Sequence, residues 1–148
     1  MATSPSTHSP KMSHPPPTQP VTHTKSTSLS PSGAQTPGMT RSNALVDLVP
    51  TLCATQMTAQ PHTSSAVHHH GAQDTIVYAV RGRGGAVVSE GGAKKIELEP
   101  GDYALIPAWM EHQEVNEGDE EVVWCIVRSG RVPEVVNLKG WGGEVVEG

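Results

Sequence analysis

The feature that most constrains the fold is a series of short β-prone segments separated by turn-forming residues, beginning near residue 44. Segments such as DTIVYAVR and EEVVWCIVR are rich in β-branched residues and have no helical periodicity. Turns such as RGRGG and EPGD separate them. Many short strands at this spacing predict an all-β sandwich or barrel. The predicted strands occupy residues 44–49, 51–58, 64–70, 74–81, 85–90, 94–99, 102–107, 112–116, 120–128 and 134–138.

Residues 1–43 differ from the rest of the chain in composition. They hold eight of the 13 prolines, are rich in Ser and Thr, and contain no aromatic residue. Such a segment buries too little apolar surface to offset the entropy lost on ordering. We therefore expect a disordered tail at 1–43 and one domain at 44–148. The ~105 residues of that domain are enough for a small β core.

The charge of the chain divides at the same place. The tail carries three basic residues and no acid, whereas the remainder carries seven basic and all 15 acidic residues, a net charge of −8. An acidic domain without a basic stripe is a poor candidate for binding nucleic acid.

No apolar run approaches the length of a membrane span, and the N-terminus lacks the apolar segment of a secretory signal. Cys53 and Cys125 both lie in strand-like segments, and two buried reduced thiols in a cytoplasmic protein are favoured over a disulfide.

The most informative local feature is the run of three histidines in AVHHHGAQD. Because side chains alternate along a strand, His68 and His70 share one face while His69 points the other way. Two imidazoles at that spacing on an inward face form a two-point chelate, and a third ligand would come from another strand. His112 begins a predicted strand and is the candidate. The alternative is that the three consecutive histidines lie on a surface loop.

The histidine run also fits the first motif of a known family. That motif is Gly, five residues, His-x-His, three or four residues, Glu, six residues, Gly. Here His62 occupies the first Gly position, His68 and His70 follow at the required spacing, and Gly82 closes the motif. The position of the motif's Glu is Thr75.

The second motif of the family follows at the expected distance. It is Gly, five residues, Pro-x-Gly, two residues, His, three residues, Asn, and it corresponds here to Gly101, Pro107, Trp109, His112 and Asn116. Over roughly residues 50–137 the chain therefore resembles a small single-domain cupin. The resemblance implies a jelly-roll barrel, also called a double-stranded β-helix, with a metal site inside it.

The resemblance implies a particular set of metal ligands. Since the motif's Glu is replaced by Thr75, and since strand alternation turns Asp74 away unless a bulge intervenes, the simplest site has three neutral histidines, His68, His70 and His112. It implies one divalent transition metal per subunit, with iron or copper favoured and zinc, nickel or manganese also suited to imidazole ligands.

Glu114 is the candidate catalytic residue. It lies two positions after His112, so it shares the inward face if that strand is regular. It could serve as a fourth ligand, as an anchor for a ligand, or as a general base. The alternative is a solvent-facing Glu near the end of a strand.

The family resemblance implies a metal-dependent oxidoreductase, of dioxygenase type, acting on a small metal-chelating oxygenated substrate. Two alternatives stay open. One is a redox-free isomerase, lyase or decarboxylase, and the other is a non-catalytic binding protein whose cavity is filled by Trp109 or Trp141. Similar single-domain cupins commonly form homodimers, so we expect a homodimer that contacts neither nucleic acid nor membrane. The tail is expected to have no effect on the metal site.

Overall fold

The computed structural model describes residues 1–7, 9–11, 13–33 and 35–147. Within those ranges the regular structure is β, apart from two single-turn 3-10 helices at Ser26–Ser28 and Glu90–Gly92. The strands are β1 (Ser30–Pro31), β2 (Met39–Leu45), β3 (Leu52–Ala59), β4 (Thr63–Ser64), β5 (His68–His69), β6 (Thr75–Arg81), β7 (Gly85–Ser89), β8 (Lys94–Glu97), β9 (Tyr103–Ile106), β10 (His112–Asn116), β11 (Val122–Ser129) and β12 (Val136–Asn137).

The strands form two antiparallel sheets. The first sheet has the order β1-β2-β3-β11-β6-β9, and β11 pairs with β3 along its whole length. The second sheet has the order β12-β5-β10-β7-β8, with β4 also paired to β10. In the second sheet His112 is the direct partner of His68, so the two histidine-bearing segments are neighbours. The all-β jelly-roll architecture expected from the sequence is confirmed.

An apolar core fills one part of the space between the sheets. Alternation along β3 buries Met57 and Ala59, and alternation along β11 buries Trp124 and Ile126. Burying a side chain such as that of Met57 or Ile126 stabilises the fold by about 1.5–3 kcal/mol relative to leaving it exposed. Gly85 is required beside this core, because a Cβ there would lie 2.8 Å from the Trp124 ring.

The same inward faces become polar farther along the strands. On β3 the buried position before Met57 is Thr55, and on β11 the buried position after Ile126 is Arg128. In β2, Arg41 pairs with Met57 and Asn43 with Thr55, which places both beside this polar part. The sheets therefore enclose a polar chamber next to the apolar core.

The structure corrects the bounds of the first predicted strand. The first predicted strand covered residues 44–49, but β2 covers Met39–Leu45 and Met39 is buried in the core. The boundary at residue 44 thus falls inside a strand, and β1 also belongs to the first sheet. The inward positions of β2 hold few apolar residues, because part of the inward face of this strand borders the polar chamber. Positions 8, 12 and 34 of the predicted tail lie outside the described residues, and disorder before β1 stays a prediction.

Both cysteines are free thiols in the structure, Cys53 buried and Cys125 half-buried, and burial raises the pKa of each. In the described part of the chain, no helix combines the length and the apolar character needed to cross a bilayer.

Candidate metal centre

Four buried side chains from two neighbouring strand segments meet in the polar chamber. They are His68 and His70 from the β5 segment, and His112 and Glu114 from β10. One potential ligand atom from each residue lies within 4.8 Å of those of the others, so the group could hold a metal ion. Each residue is at most 2% exposed. The structure thus brings together the three predicted ligands and the predicted catalytic residue.

Strand alternation explains how the group is assembled. His68 and His70 are buried on one face, whereas His69 is half-buried on the other and packs against Trp109, with ring centroids 5.5 Å apart. His112 and Glu114 share the inward face of β10, which pairs with β7 in unbroken register. Regular pairing therefore accounts for the position of Glu114 without a bulge.

Two of the imidazoles are oriented by backbone carbonyls. Nδ1 of His68 lies 2.8 Å from the carbonyl oxygen of Ala66, and Nδ1 of His112 lies 2.8 Å from that of Met110. A carbonyl can only accept a hydrogen bond, so Nδ1 carries the proton in both rings. The lone pair is then on Nε2, the arrangement usual for metal-ligating histidines.

His70 is oriented by the residue that replaces the family's Glu. Its Nδ1 lies 2.7 Å from the hydroxyl oxygen of Thr75, which is fully buried. The hydroxyl can accept the Nδ1 proton, which leaves the Nε2 lone pair free. Thr75 therefore contacts the far side of the imidazole. Asp74 lies outside the group and accepts a hydrogen bond from the backbone N–H of Ala108.

The Nε2 atoms of the three rings are buried and form no well-aligned hydrogen bond among the described residues. Nε2 of His70 forms no ion pair in the described chain, whereas Nε2 of His68 and of His112 lies close to the Glu114 carboxylate. Buried polar atoms without partners are rare in proteins, and a group of them is typical of a site that binds an ion, a water molecule or a ligand. Neutral imidazoles converging on one point suit a transition metal.

Glu114 adds a negative charge to this group, so the site of three neutral histidines expected from the sequence is incomplete. Its Oε2 lies 3.2 Å from Nε2 of His68 and 3.3 Å from Nη2 of Arg41, and its Oε1 lies 3.5 Å from Nε2 of His112. Burial is the largest single effect and opposes ionisation of Glu114, but the charges and hydrogen bonds of His68 and His112 together outweigh it and hold the carboxyl pKa well below its usual range.

The histidines respond to this charge in different ways. Burial is the largest single effect and lowers the pKa of His68, but the charge and hydrogen bond of Glu114, together with the Ala66 carbonyl, outweigh it, and the pKa lies above its usual value. Burial, followed by the positive charges of Arg128 and His112, lowers the pKa of His70 to about 2. His70 is therefore a neutral donor at any ordinary pH.

Sequence reasoning missed two arginines of the chamber. Arg41 was assigned to the tail, and that assignment implied that the tail does not affect the site, yet Arg41 contacts Glu114. Arg128 is 2% exposed at an inward position of β11. Alternation in VVWCIVR could have identified Arg128, since it continues the buried series of Trp124 and Ile126.

The two departures from the motif glycines have a backbone explanation. His62 has φ of 57° and Trp109 has φ of 65°, both in the left-handed region that favours glycine. His62 is exposed, and its Nε2 lies 3.1 Å from Oδ1 of Asp119, away from the histidine group. Trp109 and Trp141 line a separate surface pocket with Met110 and Glu111. Neither tryptophan fills the chamber, in contrast to the expectation for a non-catalytic protein.

Comparison with proteins of known structure supports the fold. The polyketide cyclase RemF from Streptomyces resistomycificus superimposes with a TM-score of 0.66 at 20% identity, covering 79% of this chain and 84% of that one. A sugar phosphate isomerase of the cupin superfamily from Silicibacter pomeroyi superimposes with a TM-score of 0.50 at 25% identity, covering 60% of this chain and 59% of that one.

Sequence comparison identifies relatives over the same region. Glucose-6-phosphate isomerase from Thermococcus onnurineus is 36% identical over 87 residues, which are 54% of this chain and 46% of the relative. The chain thus spans about half the length of the curated relatives it matches. The cupin domain model matches residues 55–128, half of the chain, and includes all four residues of the buried group. The chain therefore belongs to the cupin family.

Proposed function

We propose that this cupin is a metal-dependent enzyme that moves a proton between neighbouring carbons of a small hydroxy-carbonyl substrate, as an isomerase does. The observation that carries the proposal is the buried group itself, in which the Glu114 carboxylate lies against His68 and His112 while Nε2 of His70 has no partner among the described residues. His68, His70 and His112 would hold one divalent ion. A bound divalent ion would polarise the substrate carbonyl and make the adjacent C–H more acidic.

Glu114 is the proton acceptor in this proposal. Its carboxylate takes the proton from the hydroxyl-bearing carbon next to the carbonyl and returns it to the carbonyl carbon, while the hydroxyl proton passes to the carbonyl oxygen, so no oxidant or reductant is needed. Arg41, 3.3 Å from Oε2, orients the carboxylate. Burial of all four residues excludes bulk water from the proton that is transferred.

Two findings support proton transfer as the leading proposal. The curated relative from Thermococcus onnurineus is a glucose-6-phosphate isomerase, and the matched Silicibacter pomeroyi structure is a sugar phosphate isomerase. Glu114 places a carboxylate that can accept a proton inside the group, beside the histidines. The second candidate is the dioxygenase expected from the sequence, and the three imidazole donors, which suit iron or copper, favour it.

Turnover with and without oxygen separates these two candidates. Purified protein would be loaded with Mn²⁺, Fe²⁺ or Zn²⁺ and assayed on hydroxy-ketones, hydroxy-aldehydes and their phosphate esters. Isomerisation should proceed at the same rate without oxygen, and little solvent deuterium should enter the carbon that receives the proton, because bulk water is excluded from it. Turnover that consumes oxygen in proportion to product would instead support the dioxygenase.

A Glu114→Gln variant tests the role of the carboxylate. It should retain most of the metal, because the three imidazoles remain, but lose activity by roughly a hundredfold or more, as expected when a general base is removed. Simultaneous loss of the metal would identify Glu114 as a required ligand instead of the base. Glu111→Gln, on the rim near Trp141, is the matched control and should be fully active.

We also propose that two copies of the chain associate as a homodimer. Strand β9 is an edge of the first sheet and exposes Tyr103 at 72% and Leu105 at 65% of their surfaces. An unpaired edge strand with apolar side chains is well suited to pairing with another strand. Light scattering should report a dimer for the wild type and a monomer for Tyr103→Lys. A monomeric wild type would contradict this proposal.

A further inference from the structure

We infer that the cavity beside the histidine–glutamate group is an oxyanion subsite formed by Arg41 and Arg128, and that it receives a carboxylate or phosphate group of a hydroxylated substrate. This inference deepens the proposed function and rests on it for the reaction that the bound molecule undergoes. Three features support it: the position of the cavity, the Nε atoms of Arg41 and Arg128 that have no partner among the described residues, and the charge balance.

The cavity adjoins the buried group directly. It has a volume of about 490 Å³, within the usual range for small-molecule sites. Two of its lining residues also contact the group: Arg41 lies 3.3 Å from Glu114, and the Ser65 hydroxyl accepts a hydrogen bond from the Glu114 backbone N–H. A ligand in this cavity would therefore lie against two residues that contact Glu114.

Arg128 is a buried cation with almost no partner. It is 2% exposed, and its one hydrogen bond in the described chain is a long contact of 3.4 Å from Nη1 to the carbonyl oxygen of Glu134. Its Nε is buried and has no partner among the described residues, and no carboxylate of those residues forms an ion pair with it. An unpaired buried charge costs several kcal/mol, so a protein that keeps one gains from it elsewhere, most directly by binding an anion.

Arg41 supplies a second free donor to the same cavity. Its Nη2 contacts Glu114, but its Nε is also buried without a partner within the described ranges. The two guanidinium groups and the one carboxylate leave a net charge of +1, and the described lining of the cavity contains no acidic residue. A divalent ion held by the histidines would raise this positive charge further. Charge neutrality therefore requires an anion.

The chemistry of the lining residues narrows the class of ligand. A guanidinium presents parallel N–H donors that match the two oxygens of a carboxylate or phosphate. Asn43 also lines the cavity, and its buried Oδ1 has no donor in the part of the chain that is described. That oxygen can accept a hydrogen bond from a ligand hydroxyl. The cavity therefore fits a small hydroxy acid or a phosphate ester of a hydroxylated compound.

Calorimetric titration of the full-length protein with glycolate and with inorganic phosphate tests this subsite. At least one of these anions should bind, and the tighter of the two identifies the substrate's acidic group as carboxylate or phosphate. Arg128→Met should weaken binding by about tenfold or more, as expected when a charged hydrogen bond is lost. Arg83→Met removes an exposed arginine that pairs with Glu99, and it should bind as the wild type does.

Thermal denaturation of the same variants separates a binding role from a structural one. Arg128→Met should be at least as stable as the wild type, because it replaces an unpaired buried charge with an apolar side chain of similar length. Arg128→Lys keeps the charge without the fork and should bind the anion with intermediate affinity. A folded Arg128→Met that binds both anions as tightly as the wild type would overturn the subsite, as would a wild type that binds neither.

Elemental analysis of these samples keeps the two proposals separate. If the protein holds no metal but its anion affinity still depends on Arg128, the subsite stands and the proposed function fails. If it holds metal and anion binding is independent of Arg128, the subsite fails and the metal centre stands.

Discussion

Replacing Thr75 with Val tests whether this residue fixes the orientation of His70. The two side chains have nearly the same shape, so Thr75→Val removes the hydroxyl without creating a cavity. The Nδ1 atom of His70, now 2.7 Å from that hydroxyl, would be left buried without an acceptor. An unpaired buried N–H costs about 1–3 kcal/mol, which corresponds to a loss of roughly 4–12 °C in Tm for a domain of this size.

The ring of His70 can avoid this cost only by moving its proton to Nε2. That proton would then face the other histidines and block the lone pair that a metal needs. Loss of a hydrogen bond that orients a metal-ligating histidine typically weakens metal binding by about 10–100-fold. We therefore expect Thr75→Val to lose both stability without metal and affinity for it.

Thr75→Ser is the matched control, because it keeps the hydroxyl and loses only a methyl group. It should lose about 1 kcal/mol of stability and almost none of the metal affinity. The assays are thermal denaturation of the metal-free proteins and competition for Zn²⁺ with a chromogenic chelator. Equal Zn²⁺ affinities for the Val and Ser variants would refute the reasoning.

Two further predictions follow from β2 and from the cysteines. Deleting residues 1–42 should lower the free energy of unfolding by at least about 2 kcal/mol, because it removes most of β2 and a buried methionine, whereas deleting residues 1–22, which are mostly exposed, should change Tm little. Equal Tm values for the two deletions would contradict this. Alkylation of Cys53 and Cys125 by iodoacetamide, followed by mass spectrometry, should be slower at pH 8 than that of a free thiol and should rise with pH, since burial raises both pKa values. Labelling at the rate of a free thiol would contradict this prediction and show that the strands that carry the two cysteines open.

Much of the fold could be predicted because the relevant signals are local. Turn residues punctuate the chain after residue 50, and alternation within each segment specifies which side chains are buried. That rule placed His68 and His70 on one face and His112 with Glu114 on another, and the structure brings these two pairs together.

The parts that could not be predicted depend on contacts between distant segments. Composition around Arg41 is typical of a disordered tail, and only pairing of β2 with β3 places this arginine near Glu114, 73 positions away. The role of Thr75 was hidden for a similar reason. Counting residues placed Thr75 at the position of the family's ligand Glu. In the structure its hydroxyl contacts Nδ1 of His70, whereas Nε2 of that ring faces the buried group.

The central claim is that imidazoles from two strand segments share one metal ion. Elemental analysis of the full-length protein and of His70→Ala tests it most directly, with His69→Ala as the control from the opposite face of the same strand. We predict about one divalent transition-metal ion per chain in the wild type and in His69→Ala, and little or none in His70→Ala. A wild type without metal, or His70→Ala at full occupancy, would contradict the account.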